Sequence, residues 1–249
     1  MAIVAYLCNI LSLRSNGGIL HDKIILRMTD SLNKKILFLG PAGSGKGTQS
    51  SRLAEKYKLA HISTGDLIRS EIKSGSDLGN KVKAIVEAGQ LVSDDIVNEI
   101  VKSNVENLSG FILDGYPRTA QQAKFFDETV AKFDYIFDLE VPRELLMERL
   151  TGRRMCTKAN KADCSAVFHM SFNPPKEEGK CDVCGSDLYQ RKDDTEEAIE
   201  KRLASYDNET GNPLKEFYGG MITTINGNQS ADKVFAEIEA RLLSSCQAT

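Results

Sequence analysis

The chain has 249 residues, 41% of them apolar and 27% charged, with a formal net charge of −3. That is enough apolar material to bury a full core as one domain with an insertion, and no sequence-wide basic field favours nucleic acid. No run approaches the roughly 18 apolar residues of a membrane span, and six cysteines, four of them between residues 156 and 184, are too few for a disulfide-dense secreted scaffold.

The chain opens on the apolar run AIVAYLCNILSL (residues 2–13), which ends at Arg14. No Lys or Arg precedes the run, which speaks against a secretory leader. A mitochondrial leader draws on Arg14, Lys23 and Arg27 and is opposed by Asp22; the competing reading is a disordered extension with Met28 as an internal start. Residues 1–33 are read as an N-terminal extension, disordered or targeting. A cytoplasmic location, with a mitochondrial alternative, goes with that reading.

The folded pattern begins near Lys34. A buried strand is expected over Ile36–Leu39, then the loop Gly40-Pro-Ala-Gly-Ser-Gly-Lys-Gly-Thr48, then the amphipathic TQSSRLAEKY. The glycines of this loop, Gly40, Gly43, Gly45 and Gly47, with Ser44 and Thr48 between and after them, let backbone N–H groups turn inward around phosphate oxygens, and the following helix adds the positive end of its dipole. Lys46 supplies a point charge for the β and γ phosphates of a nucleotide. Gly40, Gly45 and Lys46 fit G-x-x-x-x-G-K-[ST], but Gly47 stands where a hydroxyl normally ligates Mg²⁺. Thr48 comes one residue late, so the metal would be held mainly by phosphate and water.

A second strand, Ala60–Ser63, runs into TGDLIRSEI, where Thr64 and Asp66 suit a helix start and Arg69 lies one turn on. The same residues also suit an ordinary capped helix with a surface arginine. SDDIVNEIVKSNVENL has helical periodicity with Ser93 as N-cap. The strand Phe111–Leu113 then delivers Asp114 to its C-terminal end, and Gly115 and Pro117 force a turn that presents Arg118. Ligands of open parallel sheets bind outside such strand ends, and Asp114 is placed to hold metal-bound water.

Further along come AQQAKFFDETVAKF, a strand over Tyr135–Val141 and RELLMERL. Arg149 and Arg153, four apart, are expected on one helix face at the entry to an insertion. The pattern breaks between Arg154 and Arg191, then resumes with DDTEEAIEKRLASY, a strand over Ile222–Ile225 and SADKVFAEIEARLL. This alternation predicts an α/β P-loop fold: a doubly wound parallel sheet of about five strands with helices on both faces. The core covers 34–153 and 191–249, and residues 154–190 form a small inserted lid subdomain.

Within the insertion, Cys181-Asp-Val-Cys184-Gly185 is a knuckle of two thiolates on a tight turn. Cys156 and Cys164 would complete a tetrahedral S₄ site for structural Zn²⁺. Three cysteines plus Asp163 or His169 is the variant of that site, and free thiols or disulfides are the competing readings. Cys8 and Cys246 show no partner spacing.

GPAGSGKGT resembles the loop of nucleoside monophosphate kinases, above all adenylate kinases, where Lys-Gly-Thr is usual; Pro41 and Ala42 stand in the reverse of the family's commoner order. HISTGDLIRSEI, EAGQLVSD and GFILDGYPRTAQQ match the same family, and the similarity runs from about Lys34 to Leu243. The resemblance implies AMP contacts from Thr64, Arg69, Val92, Gly115, Arg118 and Gln122, within and beyond an AMP-binding segment of about 63–92, with Gln122 at the adenine edge. Gln90 stands where a Lys is often found. The resemblance also implies that Arg149, Arg153, Arg191 and Arg202 join Lys46 and Arg118 around the phosphates, the first two on the ATP side and the next two towards AMP. Asp193 and Asp194 follow Arg191 as in the family, and the resemblance implies that they help tie lid motion to the core. VFHMSFNPPKEEGKC is similar to the family's long lid, with Phe168 at a position suited to stacking near the ATP adenine and His169 as a structural hydrogen-bonding residue. The spacing from Cys164 to Cys181 matches zinc-bearing lids of the family, whereas the seven residues between Cys156 and Cys164 replace the usual two.

The implied reaction is Mg-dependent transfer from ATP to AMP giving two ADP, by a monomer with no nucleic-acid or membrane partner. Such a kinase binds a second nucleotide as nucleophile and has no water to orient, so positioning and charge stabilisation carry the chemistry and the missing hydroxyl is tolerable. A GTP:AMP phosphotransferase is the near alternative. A nucleic-acid-binding zinc-ribbon protein with a vestigial P-loop is the alternative from another class.

Overall fold

β1 (Lys35–Leu39) is apolar at four successive positions because its sheet is covered on both faces. The structure, a computed structural model, describes residues 33–75, 79, 80, 82, 83, 92–158, 164 and 166–244. After β1 come α1 (Lys46–Tyr57), β2 (Ala60–Ser63), α2 (Thr64–Ser74) and α3 (Asp94–Val105). β3 (Phe111–Asp114), α4 (Ala120–Thr129), β4 (Tyr135–Glu140) and α5 (Arg143–Thr151) follow. The inserted strands are β5 (Arg153–Cys156), β6 (Val167–His169) and β7 (Leu188–Tyr189). The chain returns through α6 (Glu196–Ser205), a π-helical turn (Tyr206–Gly211), α7 (Asn212–Tyr218), β8 (Ile222–Asn226) and α8 (Ala231–Ser244).

Five strands pair in parallel in the order β2-β3-β1-β4-β8, the doubly wound sheet that the alternating pattern predicts. Alternation along β1 divides the core. Ile36 and Phe38 pack with Leu53, Tyr57, Ile238 and Leu242 from α1 and α8, while Leu37 and Leu39 pack with Val101, Phe126, Leu214 and Tyr218 on the other face. Each such fully buried side chain stabilises the fold by about 1.5–3 kcal/mol. The central position of β1 sends the loop that follows it to the middle of the sheet's carboxyl edge. Asp114 pairs in register with Phe38, so the turn after β3 opens directly beside that loop.

Two local expectations need correcting. Arg153 does not continue the helix of Arg149: α5 stops at Thr151, Gly152 turns the chain, and Arg153 starts a strand. The reason is tertiary, since a Cβ on Gly152 would overlap the His169 imidazole. The helix after the insertion also runs past its expected end at Tyr206, as the π-helical turn and then α7. Gly211 makes room there for the Tyr206 ring, whose Cε1 would lie 2.8 Å from an added Cβ.

The insertion forms a separate antiparallel sheet in the order β6-β5-β7. Its buried apolar cluster is small: Cys156, Cys164, Phe168 and Cys181. None of the helices is long and apolar enough to cross a membrane, among the described residues.

Candidate active site

The loop between β1 and α1 takes the conformation its glycines permit. Gly40, Gly43 and Gly45 have φ of 134°, 83° and 100°, a region unfavourable to residues with a Cβ. Gly40 also needs its bareness for packing, because a Cβ there would lie 2.8 Å from the Leu139 carbonyl oxygen. Buried Ser44 bridges the turn through its N–H to the Pro41 carbonyl (3.2 Å). The Lys46 ammonium donates to the carbonyls of Gly40 (2.5 Å) and Pro41 (2.9 Å). Burial pushes Lys46 below its ordinary pKa, Asp114 and Asp138 oppose the shift, and Arg118 and Arg202 reinforce it. Lys46, Asp114, Arg118 and Arg202 therefore share one electrostatic environment. Gly47 and Thr48 begin α1 in exposed positions.

Asp114 borders the position of the missing hydroxyl: a Cβ on Gly47 would sit 3.5 Å from its Oδ2. The donor set suits a hydrated Mg²⁺, an oxygen-seeking ion that keeps several waters and takes one or two carboxylates plus phosphate oxygens.

Beyond Asp114 the chain turns through Gly115 (φ 82°) and a cis Tyr116–Pro117 peptide. A Cβ on Gly115 would lie 3.0 Å from the Thr64 hydroxyl, which is buried and donates to the Asp114 carbonyl (3.2 Å). Ser63 caps α2, accepting from the Asp66 N–H (3.4 Å), so Thr64 is free for this contact. Arg69 pairs with Asp66 (2.6 Å) and lies over Gly65. Arg118 donates from Nε to the Gly115 carbonyl (2.9 Å), and its guanidinium feels Asp114, Arg202 and Arg69. Val92 is half-buried against the core beneath this side.

Gln122 is 3% exposed and engaged at both ends of its carboxamide. Oε1 accepts from the Arg118 N–H (2.7 Å) and Nε2 donates to Asp94 Oδ1 (2.7 Å). Asp94 Oδ2 accepts from the Thr119 hydroxyl (2.8 Å), and Thr119 caps α4 by accepting from the Gln122 N–H (3.1 Å). Sequence reasoning missed Asp94. In Ser93-Asp94-Asp95 it looks like ordinary helix-start acid, and its partner lies 28 residues away.

The remaining cations form a second cluster around two aspartates. Arg153 grips fully buried Asp194 in bidentate fashion (2.9 and 2.6 Å), and Arg191 grips Asp193 likewise (2.8 and 2.7 Å). Arg202 joins both, at 3.0 Å from Asp193 and 3.1 Å from Asp194. Burial alone would raise the Asp193 carboxyl; Arg191 and Arg202 override it and hold the group below its ordinary range. Arg149 stands apart, donating to the Gly227 carbonyl (3.0 Å) just beyond β8.

Phe168, expected near an adenine, is 6% exposed and packs among the lid cysteines. Strand alternation accounts for this, because Phe168 points into the small lid core and His169 to the opposite face. His169 accepts at Nδ1 from the N–H groups of Ser171 (3.0 Å) and Phe172 (3.1 Å), so Nε2 is the donor to the Glu148 carbonyl (3.1 Å). Both ring nitrogens are thus occupied away from the thiols, which removes His169 as a metal ligand. Asp163, the other variant ligand, lies outside the described residues, as do residues 1–32, Gln90, Cys8 and Cys246.

The sulfurs of Cys156, Cys164, Cys181 and Cys184 all lie within 4.8 Å of one another. Cys156 and Cys184 approach to 3.4 Å, and Cys164 and Cys181 to 3.6 Å. Four thiolates around one Zn²⁺ at about 2.3 Å stand roughly 3.8 Å apart, so the set fits a tetrahedral S₄ centre despite the long first spacing.

A family model described as adenylate kinase matches residues 38–222. Among curated proteins, the chain is similar to adenylate kinases from Carboxydothermus hydrogenoformans (43% identity, 84% of this chain and 99% of the relative) and Desulforudis audaxviator (46%, 83% and 98%). It is also similar to that of Methanothrix thermoacetophila (45%, 85% and 99%).

Proposed function

The chain belongs to the adenylate kinase family, and is thereby a nucleoside monophosphate kinase, a phosphotransferase; we propose that it transfers the γ-phosphoryl group of Mg·ATP to AMP, giving two ADP. The observation that carries this reading is adjacency. The loops after β1 and β3 leave neighbouring parallel strands at one sheet edge, and the Arg118 charge helps to hold Lys46 below its ordinary pKa. A nucleotide cradled by Gly40–Thr48 and another held at Arg118 would meet with their phosphates between these two cations.

In this reading Gly40, Gly43, Ser44, Gly45, Gly47 and Thr48 wrap the donor phosphates with N–H groups while Lys46 swings from its loop carbonyls to the phosphate oxygens. Arg118 and Arg69 hold the acceptor phosphate, with Thr64 and Gly115 shaping its turn and Val92 and Gln122 meeting the base. Arg153, Arg191 and Arg202 leave Asp193 and Asp194 in part to brace the transferring group, whose charge spreads over its oxygens. Arg149 borders the donor base near Gly227. Mg²⁺ bound to the donor would neutralise phosphate charge, with Asp114 orienting its water shell. No side chain need become a covalent nucleophile.

The lid of residues 154–190 closes over the donor and excludes water from the reaction, stiffened by Zn²⁺ on the four cysteines. The core of residues 34–153 and 191–249 works as a monomer in the cytoplasm. A coupled assay pairing ATP and GTP as donors with AMP, GMP, CMP and UMP tests the reading. ATP with AMP is expected to turn over fastest. Faster turnover with GTP would reassign the donor, and nucleotide consumption that ignores AMP would overturn the proposal.

A further inference from the structure

Resting on the reading of Gln122 as the residue at the AMP base, we propose that Asp94 locks the direction of the Gln122 carboxamide and thereby makes the site select adenine over 6-oxopurines. The assignment of the amide follows from its partners. A backbone N–H only donates, so the group facing Arg118 N must be Oε1; a carboxylate only accepts, so the group facing Asp94 Oδ1 must be Nε2. Asp94 is itself held by the Thr119 hydroxyl, so the lock is braced from the first turns of both α3 and α4. Turning the amide over would set NH₂ against N–H and oxygen against carboxylate, two repulsive pairings in a site only 3% exposed.

The two bonds leave Gln122 one N–H and one acceptor lone pair. Adenine presents a donor at its 6-amino group and an acceptor at N1; a 6-oxopurine presents the reverse, an acceptor at O6 and a donor at N1. A free glutamine would serve either base by rotating its amide through half a turn. The locked one matches adenine alone, and a base of opposite polarity leaves buried polar groups unpaired, which is how hydrogen-bonding sites reject near-isosteric ligands most strongly. The bland role for Asp94 is an acid at a helix N-terminus, which contributes stability but no choice of base.

The test uses the full chain, wild type and the Asp94→Asn and Asp94→Ala variants, with Mg·ATP as donor and AMP or inosine monophosphate as acceptor. The AMP-to-inosinate ratio of kcat/KM is expected to fall at least about tenfold in Asp94→Ala and to be largely kept in Asp94→Asn, whose Oδ1 still accepts from Nε2 while its NH₂ donates to the Thr119 oxygen. The change should lie mainly in the acceptor KM, with the KM for ATP unmoved. A folded Asp94→Ala variant that keeps the wild-type ratio, or loses kcat equally for both acceptors, overturns the lock. Should Asp94→Ala not fold, NMR on the wild type decides: locked Gln122 carboxamide protons are resolved and exchange slowly with water, and exchange at the rate of a free glutamine overturns the proposal. A wild type inactive on AMP would overturn the proposed function together with this inference. An AMP-active wild type whose ratio survives Asp94→Ala overturns this inference alone.

Discussion

The parallel sheet and the inserted lid are held together by different physics. Around β1, apolar side chains from both faces interlock: Ile36, Leu37, Phe38 and Leu39 are all at most 4% exposed. Among its described residues the lid buries one phenylalanine and three cysteines, and leaves Val167, Met170, Phe172, Val183 and Tyr189 exposed. A segment so poor in apolar core cannot offset its own conformational entropy by burial alone. Four converging thiols that fit one Zn²⁺ and the anchor of His169 on the Glu148 carbonyl stand in its place, and in the proposed function they let the lid move as a unit while the sheet stays fixed. In the proposed function, stability resides in the sheet and gating in the lid.

The largest effect tests the cleft between them. Arg118→Ala should lower turnover about a thousandfold or more, while unfolding free energy changes by less than about 0.5 kcal/mol and ATP binding stays measurable by calorimetry. Near-normal turnover would remove Arg118 from the chemistry. Phe137→Ala, which opens a cavity in the sheet core, should cost about 3–5 kcal/mol in denaturant unfolding and leave the metal content of the lid intact.

Metal removal makes the opposite cut. Protein prepared without chelator should carry about one equivalent of zinc, as one S₄ centre demands. Stripping it should unfold β5, β6 and β7, seen as lost amide protection there, and raise the KM for ATP while the sheet keeps its protection. A sheet that unfolds with the lid would erase the contrast. The smallest effect falls at the hinge: His169→Ala removes the bond to the Glu148 carbonyl and should raise the KM for ATP roughly two- to tenfold. His169→Asn, which can still donate and accept, should recover part of the loss.

Much of this was legible because the signals are local. The three central strands, β3, β1 and β4, are short and mainly apolar runs buried on both faces, and the glycines of Gly40–Gly47 announce their φ angles in advance. Asp114 and Arg118 follow from a strand that ends in Gly and Pro. What failed is non-local. Arg153 looked helical because nothing in RELLMERLTGRR announces that the His169 ring will sit on Gly152. Phe168 was expected to stack only through the lid's resemblance to the family, and a three-residue strand does not say which of its faces meets the thiols. Asp94 passed as a helix-start acid because its role depends on Gln122, brought alongside only when α3 and α4 pack. The seven residues between Cys156 and Cys164 looked long for a zinc site, yet the thiols converge, because strand pairing of β5 with β6 and β7 brings the ligands together whatever the loop between them.

The central claim is that the loop at Lys46 and the turn at Arg118 line one cleft for two nucleotides. Calorimetric titration with two adenosines joined by five phosphates tests it most directly. One molecule should bind per chain, displace both ATP and AMP, and lose affinity when either Lys46 or Arg118 is replaced. Two molecules per chain, or competition with ATP alone, would contradict the account.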